Sequence, residues 1–187
     1  MSIYFSTGGY NNKTSKEVVK TLIDIGIQDI ELSGTCYSKD NIKDLEKFLK
    51  FSNLQVHNYF PPPEKPFVLN LASMDETIAK KTIDHIMHSL DVCKILKSNY
   101  YSFHAGFLCD IKVSELGKKV DKKILQDREK SLDLFVNRIA KISEKAKQNN
   151  INIMIENNVL SKNNKASFEG NPLLMCDADE CEKVINS

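Results

Sequence analysis

The chain has 187 residues, 27% of them charged and 41% hydrophobic, the balance of a soluble globular protein with material for a substantial core. Lysine and arginine number 26 against 25 acids, so the basic surplus of a phosphate-backbone binder is missing and a nucleic-acid partner is disfavoured. No apolar run approaches the ~20 residues that span a bilayer, and the opening MSIYFSTGGY lacks a basic start and long apolar stretch, so a cytoplasmic protein with no membrane partner is expected.

Strand patterns alternate with helical ones along the whole chain. The first strand candidate is IYFS (3–6), followed by the turn STGGYNNKTSKE. That turn holds a glycine pair but neither G-x-G-x-x-G nor a P-loop lysine, so it reads as a tight turn and not a phosphate cradle. Thr14 and Glu17 have the spacing of a helix-opening capping box, and Gly26 stands where a helix end favours a left-handed residue. DIELS (29–33) and LQVHNY (54–59) are the next strands, the latter leading into the proline-rich PPPEKP (61–66).

Ser73 and Glu76 repeat the capping spacing before a helix whose Ile83, Ile86, Leu90 and Cys93 recur at three- and four-residue steps. His85 and His88 flank this stripe and read as a solvated face. NYYSFH (99–104) is the fourth strand. The stretch from Cys109 to Val120 is irregular, with Lys118 to Lys123 read as solvated surface. A second long helix carries Leu125, Leu132, Phe135, Ile139, Ile142 and Ala146, and INIMIE (151–156) is the fifth strand. Asp177 and Glu180 then open a last helix in DADECEKVINS. The five cysteines (36, 93, 109, 176, 181) form no CxxC pair and suit core or loop filling in a reduced compartment.

Five strand–helix units with apolar strands predict an α/β protein built on a parallel sheet. A doubly wound sheet and the first part of a (β/α)₈ TIM barrel compete. Polar side chains at successive strand ends, Glu31, His57, His104 and Glu156, favour the barrel, which builds its active site at that rim. A full barrel takes about 250 residues. The expectation is therefore one incomplete barrel domain over 1–187, either a piece of a larger barrel or a naturally short relative. Its open sheet edge calls for cover, which an oligomer would supply.

His57, His104 and Glu156 close three consecutive strands. Neighbouring strands lie about 4.8 Å apart, so side chains at equal height converge. Two imidazoles and a carboxylate suit Zn²⁺ or Mn²⁺ and leave positions for water or substrate.

VHNYFPPPEKPFVLNLAS, a long helix and YYSFHAGF together resemble the endonuclease IV and xylose isomerase-like barrel superfamily. The matching elements are His57, NLA at 70–72, HAG at 104–106 and IEN at 155–157. The resemblance implies that Glu156 is a metal ligand. In the endonuclease branch it implies the same for both histidines; in the isomerase and epimerase branches the ends of strands three and four more often shape the substrate pocket. The Asp, His and Glu ligands that the family takes from strands six to eight have no counterpart in these residues.

Three functions follow as expectations. The first is a metal-dependent sugar or sugar-phosphate isomerase or epimerase, with Glu156 and His104 catalytic and His57, Glu31 and Asn157 contacting a small sugar. The second is a zinc-dependent apurinic-site endonuclease, opposed by the neutral charge. The third is a non-catalytic barrel fragment.

Overall fold

The computed structural model describes residues 3–10, 12–116, 125–162, 166, 168 and 170–187; Lys118 to Lys123 lie outside that set. In chain order the elements are β1 (Phe5–Ser6), α1 (Ser15–Asp24), β2 (Asp29–Leu32), α2 (Asn41–Glu46), β3 (Asn53–His57), α3 (Glu76–Ile95) and β4 (Tyr100–His104). A short 3₁₀ turn (Val113–Glu115) precedes α4 (Arg128–Gln148), β5 (Asn152–Glu156) and α5 (Ala178–Ile185). The strands form one five-stranded sheet in the order β1-β2-β3-β4-β5. The pairings β1–β2, β2–β3 and β3–β4 are parallel, with His57 opposite Ser102. These are five βα units of the TIM-barrel type, as the sequence pattern predicts.

Local chemistry explains the boundaries. Thr14 accepts from the Glu17 amide while Glu17 accepts from the Thr14 amide, closing the expected capping box. At the other end of α1, Gly26 has φ 89°; its N–H donates to the Ile23 carbonyl at 2.9 Å and the Ile27 N–H to the Leu22 carbonyl at 2.9 Å. That pair of bonds is a Schellman closure, and glycine adopts its left-handed residue without a Cβ penalty. Two helix starts differ from expectation. Asp75, not Ser73, caps α3, accepting from the amides of Thr77 at 2.7 Å and Ile78 at 3.4 Å. The Ser73 hydroxyl instead donates to Asp110 Oδ2 at 2.9 Å. Helix α4 begins only at Arg128, so Leu125 stands before it, and Asp127 accepts from the Lys130 amide at 2.9 Å.

Two compact units divide the chain: residues 1–66, 86–103 and 145–154 form one, and 67–85, 104–144 and 155–187 the other. In the first, Val18, Val19, Leu22, Ile30, Leu32, Val56, Ile86, Leu90 and Tyr101 are buried. Burial pushes the Cys93 thiol up to about 12, so it is a packing group with almost no thiolate. In the second unit the core includes Leu71, Ala72, Leu108, Leu132, Phe135, Leu174 and Met175. His85 is also buried there, its ring edge-on to Phe67 at 5.9 Å, which corrects the solvated reading; His88 is exposed. An imidazole can bury its apolar ring face against an aromatic while keeping polar contacts. Among the described residues no helix is long and apolar enough to cross a membrane.

The second unit also holds a polar lattice that no periodicity of the residues marks. Asn70 Oδ1 accepts from the amides of Ala72 at 3.1 Å and Phe107 at 3.0 Å, and its Nδ2 donates to Asp110 Oδ1 at 2.9 Å. Arg138, only 5% exposed, donates to the carbonyls of Leu71 at 2.6 Å and Ser73 at 2.7 Å. These bonds seat the NLAS stretch beside the turn after His104, and the fit is close: a Cβ on Gly106 would lie 2.5 Å from Ala72 Cβ. Gly106→Ala is therefore expected to destabilise the chain by about 1–3 kcal/mol, seen as a lower urea midpoint at an unchanged m-value.

Candidate metal centre

Parallel pairing determines where the strand-end side chains stand. The Ala105 N–H donates to the Glu156 carbonyl at 3.1 Å, so β4 and β5 finish level and bring their last side chains together. His104 Nδ1 lies 3.1 Å from Glu156 Oε2, both side chains 44% exposed. The ends of β4 and β5 thus present a close imidazole–carboxylate pair.

The donor set fits a divalent cation. Two bonds of about 2.1 Å at a tetrahedral angle separate their donors by roughly 3.4 Å. The 3.1 Å between His104 and Glu156 is already near that spacing.

His57 has the support a ligating imidazole needs. Its Nδ1 is 2.8 Å from the Ser102 hydroxyl and 4.0 Å from Glu31 Oε2. A proton on Nδ1, donated to the Ser102 oxygen, would leave the ring lone pair on Nε2, one of the two nitrogens by which an imidazole ligates. Glu31 thus lies beside His57, the penultimate residue of β2 and not its last. Asn157 is exposed just past β5.

Sequence reasoning missed the residue next to it. Asn158 Nδ2 donates to the carbonyls of Ala105 at 3.1 Å, Gly106 at 3.3 Å and Leu174 at 3.0 Å. Its own N–H donates to the Met175 carbonyl at 3.2 Å. One side chain therefore ties the turn after His104 to the turn after Glu156. The only signal in the sequence was the paired amide, Asn157-Asn158, with nothing to say which of the two turns inward.

Comparison with known proteins agrees with this fold. A family model described as a xylose isomerase-like TIM barrel matches residues 19–184. A probable endonuclease 4 of Persephonella marina (strain DSM 14350 / EX-H1) is 39% identical over 54 residues, 29% of this chain and 19% of that protein. A D-tagatose 3-epimerase-like protein superposes with TM-score 0.68 over 94% of this chain and 57% of its own, at 19% identity. The IOLI protein, whose structure carries a zinc atom, superposes with TM-score 0.61 over 100% of this chain and 58% of its own, at 12% identity. The chain thus spans just over half the length of these solved structures and the match about a fifth of the curated relative. At such identities the structural likenesses establish the fold.

Replacing Asn158 with Ala leaves three carbonyls without their side-chain donor. The expected cost is about 1–3 kcal/mol, measured as a shift in the urea unfolding midpoint.

Proposed function

The chain belongs to the xylose isomerase-like TIM barrel family, and from that premise we propose that it is a metal-dependent isomerase or epimerase acting on a small sugar or sugar phosphate. The observation that carries this reading is the 3.1 Å approach of His104 to Glu156 at the ends of β4 and β5. His57, His104 and Glu156 would hold a divalent cation, zinc or manganese. When bound, such an ion polarises the carbonyl and hydroxyl oxygens of a sugar and so acidifies the C–H between them. Glu156 either ligates the ion or, as a half-exposed carboxylate, takes the proton from that carbon and returns it. His104, in contact with Glu156, holds the carboxylate in place and offers a proton to a substrate oxygen. Glu31 and Asn157, beside the cluster in space and in sequence, would contact the sugar's hydroxyl groups.

Support comes also from charge. With 26 basic and 25 acidic residues the chain lacks a general attraction for polyanions and suits a small polar substrate. A second reading, apurinic-site endonuclease, draws on the 39% identity to a probable endonuclease 4 and on the two histidines of the set. A third, a non-catalytic barrel fragment, needs only the fold.

Metal content separates the third reading from the others. The chain purified from zinc- or manganese-supplemented cells is expected to retain metal by elemental analysis, with His104→Ala and Glu156→Gln each losing most of it. A chain that retains none overturns the metal-dependent reading. Incubation with a panel of ketoses and ketose phosphates should interconvert at least one pair of epimers or isomers. Glu156→Gln should lower that rate by about 10²–10⁴-fold. Incision of an abasic duplex, with the sugars untouched, would instead establish the endonuclease.

A further inference from the structure

We propose that Tyr101 and Ser89, two side chains buried to 0% exposure, are positioning residues for His57. The backbone immediately after His57 leaves the strand through a left-handed residue, Asn58, with φ 39°. A non-glycine residue holds that conformation only where its surroundings fix it. Both backbone polar groups of Asn58 are bonded to consecutive residues of β4. Its N–H donates to the Ser102 carbonyl at 2.6 Å, and its carbonyl accepts from the Tyr101 hydroxyl at 2.8 Å. Two residues further on, the Phe60 carbonyl accepts from the Ser89 hydroxyl at 2.8 Å.

Packing alone does not require these oxygens. Phenylalanine at 101 would fill the same space and keep the stacked contact with Phe103, whose ring centroid is 5.7 Å away. What the phenol adds is a donor aimed at a carbonyl that the left-handed turn points into the core, where an unpaired acceptor is costly. Since Val56 pairs with Tyr101 and His57 with Ser102, the two β4 residues hold His57 at different points. Ser102 fixes the ring through Nδ1, and Tyr101 fixes the turn that sets where the ring begins. Without the phenol the turn loosens, the Ser102–imidazole bond lengthens and the ring samples both tautomers. Ser89 acts in the same direction at longer range.

The consequence for metal affinity rests on the proposed function, but the ring itself can be read without metal. In ¹⁵N-histidine NMR of the metal-free chain, His57 is expected to populate chiefly the tautomer with its lone pair on Nε2. Tyr101→Phe should mix the two forms while far-UV circular dichroism stays that of the wild type. In zinc titrations the same substitution should weaken binding by about 10-fold, and should cost nothing further in a His57→Ala background. Ser89→Ala should produce a smaller change of the same kind, and decides the matter if Tyr101→Phe does not fold. The proposal is overturned if the folded variants leave the His57 tautomer unchanged, or if the affinity loss persists undiminished without His57. Mixed tautomers in a chain whose wild type binds no zinc would uphold the positioning role and remove the metal reading instead.

Discussion

The bond from the Ala105 amide to the Glu156 carbonyl, 3.1 Å long, is the contact on which the site depends. It sets the register of β4 and β5 at their carboxyl ends. Side chains alternate along a strand, so a slip of one residue would send His104 and Glu156 to opposite faces. The neighbours of this bond exist to keep it. Asn158 clamps both flanking turns, Gly106 allows the NLAS stretch to approach, and Asn70 and Arg138 satisfy the carbonyls and amides that the approach buries. Few apolar contacts would serve here, because what must be held is the angle of exposed polar groups, and hydrogen bonds have direction where packing has none.

The same division of labour recurs at β3. His57 is buried and its ring is oriented by a hydroxyl from the adjacent strand, whereas His104 and Glu156 stand half exposed. A buried imidazole loses water as a competitor for its nitrogens, so its orientation has to come from the protein. The exposed pair can adjust.

Much of this was legible in the sequence. Strand and helix order follow from apolar periodicity, and the strand ends carrying His57, His104 and Glu156 followed from reading each strand to its last residue. Gly26 and the Thr14 box were readable because each depends on one local conformation. What escaped is long-range. Asp75 caps because the helix begins at Glu76, and Ser73, three residues before it, instead accepts from the Asp75 amide and donates to Asp110, 37 residues away. His85 is buried because Phe67 lies across it, and Arg138 looks like any basic residue on a helix until its partners at 71 and 73 are known. Asn158 and Tyr101 are invisible for the same reason: their acceptors are backbone carbonyls, which every residue possesses and no sequence pattern marks.

An imidazole beside a carboxylate does not by itself choose between sugar and phosphodiester chemistry, since a divalent ion held there could serve either. The proposed sugar reading draws on charge. A duplex carries a phosphate charge about every 1.7 Å, and a protein that works on it needs cations spread along the contact. Among the described residues, several exposed lysines are paired with acids: Lys20 with Asp24, Lys80 with Asp84, Lys145 with Asp91, and Lys183 with Asp133. Ion pairs of this exposed kind add little stability, but they do cancel the field that would steer a polyanion inward. A small polar ligand needs no such field. It needs oriented carboxylate and imidazole groups at close quarters, as Glu156 and His104 are at the ends of β5 and β4.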